Sequence, residues 1–121
     1  MTRRLVAILS ADAVGYSRLM AADEAAALRQ MDLQRARLRE HIEAHGGRVV
    51  DAVGDNLLAE LPSAVEAVAC AVEAQRDLAR RNEALPAERR LELRIGVHVG
   101  DVIAEGERIA GDAVNVAARI E

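Results

Sequence analysis

Apolar residues run through this chain in two rhythms. Leu5-Val6-Ala7-Ile8-Leu9-Ser10-Ala11 is a short, near-continuous apolar run that ends in Asp12 and a glycine turn, Ala13-Val14-Gly15. A run of that length bounded by a turn predicts a buried strand over Leu5–Ala11. From Asp23-Glu24 the rhythm lengthens. Leu28, Met31, Leu38 and Ile42 form a partly apolar stripe among Arg and Glu, which predicts a helix from Ala25 to about Ala44. Acids at its start suit the positive end of the helix dipole, and Gly46-Gly47 stops it. Arg48–Val53 and Leu57–Leu61 then predict a hairpin around Gly54-Asp55-Asn56.

A second helix is predicted from Pro62-Ser63 to about Asn82, with Val65, Val68, Ala69, Val72 and Leu78 as its apolar residues. Pro86 falls in the loop that follows. Leu91, Leu93, Ile95, Val97 and Val99 alternate with polar groups and Gly96, the period of a half-buried strand. Gly100-Asp101 is expected to turn the chain into an antiparallel partner, Val102-Ile103-Ala104. Gly106-Glu107-Arg108-Ile109-Ala110-Gly111 leads to a last helix from about Asp112. The order β-α-β-β-α-β-β-α predicts an α+β sandwich: a ferredoxin-like, largely antiparallel sheet with helices packed on one face. Arg119-Ile120-Glu121 falls inside the last predicted helix with no C-cap glycine. Residues 1–121 are therefore expected to be the N-terminal and central part of a longer domain.

Composition narrows this picture. With 121 residues the chain makes one domain, and 51% hydrophobic residues exclude a disordered tail. There is no Phe or Trp and Tyr16 is the only aromatic, so the core must be aliphatic and alanine-rich. All 16 basic residues are Arg, and the net charge of -4 argues against a nucleic-acid surface. No apolar stretch approaches a membrane span, and the run after Met1-Thr2-Arg3-Arg4 is too short for a secretory signal. A lone Cys70 set among Ala and Val fits a small core residue in a cytoplasmic protein.

Asp12 and Asp55, each beside a predicted turn, are the residues best suited to a divalent cation. Hard cations such as Mg²⁺ take oxygen ligands and keep waters and substrate phosphates for the rest. Asn115 and Arg119, four apart, would share one face of the last helix. His41, His45 and His98 have no companions at zinc-ligand spacing, and His41 and His45 are expected on a solvated helix end. Asp101 and Asp112 are expected to be turn and helix N-terminal residues.

Five segments, in order, closely resemble the catalytic domain of class III nucleotidyl cyclases. They are Asp12-Ala13-Val14-Gly15-Tyr16-Ser17, Gly46-Gly47-Arg48, Gly54-Asp55, Arg94-Ile95-Gly96-Val97-His98-Val99-Gly100-Asp101-Val102, and Gly111-Asp112-Ala113-Val114-Asn115-Val116-Ala117-Ala118-Arg119. The resemblance implies attack of a ribose 3′-oxygen on the α-phosphorus of ATP, or of GTP, with pyrophosphate leaving. It implies two Mg²⁺ or Mn²⁺ ions held by Asp12, Asp55 and the Ala13 carbonyl. It puts Val14, Gly15, Tyr16 and Ser17 on the β- and γ-phosphates, Asn115 on the ribose, and Arg119 on the transition state. In the family the metal aspartates and the Asn/Arg pair of one site come from different subunits, which implies a head-to-tail homodimer.

The chain departs from the family at the base-selecting pair. Asp51 and Arg108 stand where adenylyl cyclases usually carry Lys and an acid (or Thr), so the charges are swapped. Either purine edge can be matched by that pair, and ATP is the expected substrate on frequency. The swap resembles a bacterial subgroup whose cyclase-like domain precedes tetratricopeptide-type repeats, which implies a C-terminal repeat or regulatory domain in the parent protein. It also motivates a competing reading, a catalytically degenerate module for dimerisation or nucleotide sensing. A third reading is a ferredoxin-like interaction domain with no nucleotide role.

Overall fold

The computed structural model describes residues 2–105 and 108–110. The chain runs through β1 (Thr2–Val14), α1 (Tyr16–Ala22), α2 (Glu24–Ala44), β2 (Arg48–Val53) and β3 (Asn56–Leu61). It continues through α3 (Ala64–Glu83), a short 3-10 turn (Ala87–Arg89), β4 (Glu92–Glu105) and β5 (Arg108–Ala110). The strands form a five-stranded sheet in the order β2-β3-β1-β4-β5, with every neighbouring pair antiparallel. This is the predicted α+β architecture, with β1 at its centre.

Helices α2 and α3 lie where the pattern predicts them, because their starts are written locally. The Asp23 side chain accepts from the Ala26 N–H at 3.1 Å, and the Ser63 hydroxyl accepts from the Glu66 N–H at 3.1 Å. Each satisfies a donor that the helix leaves unpaired. At the other end of α2, Gly47 allows close approach to β3. A Cβ there would sit 2.6 Å from the Glu60 carbonyl oxygen and 2.5 Å from a Leu61 methyl.

Both long strands differ from expectation. β1 extends past Ala11 to Val14, because it pairs with β4 along its whole length, from Thr2 opposite Ala104 to Val14 opposite Glu92. Asp12 therefore lies within a strand and not at its end. β4 does not turn at Gly100-Asp101. Gly100 pairs with Val6 and Asp101 with Leu5, so a ladder on β1 carries the chain straight through. The return comes later, with Ile103 opposite Ala110 and Ala104 opposite Ile109.

The main core lies between the sheet and α2/α3. Ala7, Leu9 and Ala11 of β1 meet Leu57, Ala59 and Leu61 of β3, with Leu38, Ile42, Ala67, Cys70 and Ala74 from the helices. Leu93, Ile95 and Val97 of β4 pack against this cluster, as their alternation predicts. A smaller cluster of Ala13, Leu19, Ala27, Met31 and Leu91 anchors α1.

On α3 only part of the predicted apolar set turns inward. Leu78 is buried, but Val65, Val68 and Val72 are exposed at 76%, 52% and 42%, and Ala67, Cys70 and Ala74 are buried with Leu78. Both sets have helical spacing. Small side chains line most of the inward face, and Gln75 and Asn82 donate to the carbonyls of Leu93 and Leu91 at 2.8 and 3.0 Å. Burial pushes the Cys70 thiol up to about 11, which makes it inert at neutral pH.

His41 and His45 are not on a solvated helix end. His45 Nδ1 lies 2.7 Å from Glu66 and Nε2 2.6 Å from Glu73, so one ring bridges two acids of α3. His41 and both fork nitrogens of Arg37 meet the buried Asp77 at 2.9 to 3.0 Å. The α2/α3 contact thus carries a polar layer that residue spacing along α2 alone does not reveal. Among the described residues, no helix is long and apolar enough to cross a membrane.

Candidate active site

Asp12 is the centre of a cross-strand row. Asn56 on β3 is its partner on one side and Arg94 on β4 its partner on the other. Directly opposed residues in antiparallel strands share a face. Since Ala7, Leu9 and Ala11 point to the helices, alternation sends Asp12 to the opposite face. The Arg94 guanidinium reaches the Asp12 carboxylate at 3.4 Å.

The β2–β3 hairpin delivers the second acid. Gly54 takes φ 60°, and Asp55 follows it in the turn, one residue before Asn56. The tight turn brings Asp55 close enough to Asp12 to act on its ionisation. The Asp12 carboxyl is raised above its ordinary value, first by burial and then by the neighbouring Asp55 carboxylate. Arg94 and the Ala13 N–H oppose the rise. Two acids this close resist ionising together, and a cation between them removes the conflict.

The donor set suits a hard cation. It combines two carboxylates with the side-chain oxygen of Asn56, which is buried and has no hydrogen-bond partner among the described residues. The Ala13 backbone carbonyl is a further oxygen at the same point of β1. One or two carboxylates supplemented by substrate phosphates is the usual Mg²⁺ arrangement. Asn56 and Arg94 were not singled out from the sequence. Only strand register shows that they flank Asp12.

The segment after Asp12 divides between two elements. Val14 ends β1, Gly15 caps α1 with φ 74°, and Tyr16 and Ser17 form its first turn. Tyr16 and Asp55 both line a cavity of about 460 Å³, together with Leu28, Met31, Asp32 and Arg35 of α2 and Gly54. Thus Asp55, distant in sequence, is brought to Asp12 and to the Tyr16 turn that follows it.

Asp51 and Arg108 are not neighbours within the sheet. Asp51 is exposed on β2, just past a bulge and opposite Leu58, whereas Arg108 lies on β5 at the other edge. Asn115 and Arg119 lie outside the described residues.

A four-stranded antiparallel core in the order β2-β3-β1-β4, with its helices on one face, one carboxylate within β1 and a second at the β2–β3 turn, has the architecture of a class III nucleotidyl cyclase domain. Comparison with known proteins agrees. The profile of the Adenylate and Guanylate cyclase catalytic domain matches residues 2–121, and the chain belongs to that family. It is 50% identical over 123 residues to a candidate adenylate cyclase 3 of Rhizobium meliloti (strain 1021), covering 98% of this chain and 20% of that protein. The chain therefore spans about a fifth of that relative's length.

Among solved structures, an adenylate/guanylate cyclase/hydrolase from Silicibacter pomeroyi is 45% identical with a TM-score of 0.90. It aligns with 99% of this chain and 70% of its own. A guanylyl cyclase structure is 26% identical with a TM-score of 0.81, over 99% of this chain and 70% of that one.

Proposed function

We propose that this domain converts ATP to 3′,5′-cyclic AMP and pyrophosphate, acting as the catalytic part of a signalling protein. The observation that carries the proposal is the Asp12/Asp55 pair. Its acids are close enough to raise the Asp12 carboxyl, and they sit on the strand and hairpin of a cyclase fold. Asp12 and Asp55, with the Ala13 carbonyl, would hold Mg²⁺ or Mn²⁺, two ions per site. Bound there, the metal lowers the pKa of the 3′-hydroxyl and neutralises charge on the phosphate oxygens.

The remaining roles belong to the chain itself. N–H groups of Val14, Gly15, Tyr16 and Ser17 bind the β- and γ-phosphates, as the unpaired donors of a loop and first helical turn do. Asn115 orients the ribose, and the planar fork of Arg119 binds the phosphorus oxygens as charge develops. These two come from the partner subunit of a head-to-tail homodimer, so one chain alone is inactive. Asp51 and Arg108 select the base. The 50% identity to a candidate adenylate cyclase favours ATP, and GTP is the alternative, given the likeness to a guanylyl cyclase. A cytoplasmic setting fits the single buried thiol, Cys70. Residues 1–121 then form the N-terminal and central part of the catalytic domain, with a repeat or regulatory domain to follow.

The test is cyclic nucleotide formation by the full-length protein from ATP and from GTP with Mn²⁺, alongside Asp55→Ala. Cyclic AMP that disappears in the variant supports the proposal. A folded dimer that yields product from neither nucleotide overturns it, and leaves a dimerisation or nucleotide-sensing module.

A further inference from the structure

Helix α2 lines two cavities with different residues. Leu28, Met31, Asp32 and Arg35 border the one beside Asp55. The other, of about 800 Å³, lies between α1, α2, the end of α3 and the 3-10 turn, and shares no lining residue with the first. Small-molecule sites span roughly 300–1,000 Å³ and are mostly apolar, with a few polar groups that orient the occupant. Here Leu19 of α1, Leu33 of α2 and Leu85 after α3 supply apolar surface, with alanines between them.

The charged residues on this cavity favour one sign. Four arginines line it, Arg18, Arg29, Arg81 and Arg89, against two acids, Asp23 and Glu88. That positive excess stands in a chain whose net charge is -4. Arg81 is tied to Asp77 at 3.4 Å, and the Asp23 carboxylate is engaged in capping α2. Arg18, Arg29 and Arg89 form no ion pair among the described residues. Gln34 lines the same cavity, is only 4% exposed, and makes no hydrogen bond among the described residues. A buried amide without a partner gives up its hydration with nothing in return. An occupant can supply that partner.

These features fix the chemistry of the occupant. An apolar body suits the leucines and alanines, and a carboxylate suits unpaired guanidinium groups, which take its two oxygens side by side. A doubly charged head is disfavoured, because Asp23 and Glu88 line the same cavity. We propose that this cavity binds a free amphipathic monocarboxylate, its head on the arginines and its alkyl body on the leucines between α1 and α3. The site lies apart from the carboxylate pair and does not depend on the cyclase reading.

The experiment is calorimetric binding of decanoate and octanoate, below their micelle concentrations, to the full-length protein. Decyltrimethylammonium, with the opposite charge on the same tail, is the control and should not bind. Decanoate should bind roughly tenfold more tightly than octanoate, the worth of two buried methylenes. Arg29→Gln/Arg89→Gln should weaken decanoate by roughly tenfold, the loss of a charge-assisted contact. Both arginines are exposed, so without ligand the double variant should melt with wild type. In NMR spectra the Gln34 side-chain amide signal should shift as decanoate is added.

Wild-type protein that binds neither carboxylate overturns the inference, as does equal decanoate affinity in wild type and the double variant. Equal binding of the two head groups also overturns it, leaving adventitious apolar contact only. A Gln34 signal that stays put while decanoate binds places the ligand elsewhere. Protein that binds phosphatidylglycerol vesicles but no free carboxylate refutes a small-molecule site and turns this face to a membrane. None of these results touches the cyclase reading, which is tested by product formation.

Discussion

At the scale of single residues, the chemistry of this domain turns on how Asp12 is surrounded. Burial and Asp55 push its carboxyl up, while Arg94 and the Ala13 N–H hold it down. The neighbours can be removed one at a time. In metal-free protein, Asp55→Asn removes the opposing charge, so Asp12 should titrate at lower pH than in wild type. Arg94→Gln removes the favourable charge, so it should titrate at higher pH. Carboxyl carbon chemical shifts followed by NMR across pH 2–8 check both directions, and identical Asp12 titrations in all three proteins would refute the pairing. The two aspartates were legible in the sequence because turn glycines and apolar runs bracket them. Asn56 and Arg94 were not, because their relevance depends on which strand lies opposite, and no local pattern records that.

At the scale of elements, the contact between α2 and α3 is polar where it leaves the core. His45 bridges Glu73 and Glu66, which raise its pKa, Glu73 contributing most. Glu73 is lowered in return, chiefly by the hydrogen bond from His45. A raised histidine contributes stability fully below its unfolded value of about 6.5, and loses it as pH rises through the folded value. A lowered glutamate contributes above about 4.3 and loses it as pH falls through its folded value. The bridge is therefore strongest at mildly acidic pH. Melting temperature should fall as pH rises from mildly acidic to alkaline, and His45→Gln should flatten that fall. A slope that the variant leaves unchanged would refute the assignment. The boundaries of α2 and α3 were readable from their caps, Asp23 and Ser63. Most of the buried face of α3 was not, because valine and alanine stripes have the same period and only packing against the sheet chooses between them.

At the scale of the whole molecule, the proposal splits the site between two chains. On that reading the aspartates of one subunit would work with Asn115 and Arg119 of the other. Two inactive variants should then complement. When Asp55→Ala and Arg119→Ala proteins are mixed and allowed to exchange subunits, half of the dimers are mixed, each with one intact site of two. Activity should return to about a quarter of wild type by that symmetry. No recovery from a mixture shown to exchange would place the complete site within one chain.

The sequence by itself determined the α+β class, the order of the strands with α2 and α3, and the two carboxylates, because apolar period, caps and turn glycines are local properties; it did not show α1. Cross-strand pairing decided the rest. It carried β1 through Asp12 to Val14 and β4 through Gly100-Asp101, since each added residue gained backbone hydrogen bonds to the neighbouring strand. It set Asn56 and Arg94 on either side of Asp12. The hairpin turn and the packing of α2 then placed Asp55 and Tyr16 on one cavity. The candidate site is therefore a product of register, a long-range property that exists only once the strands have paired.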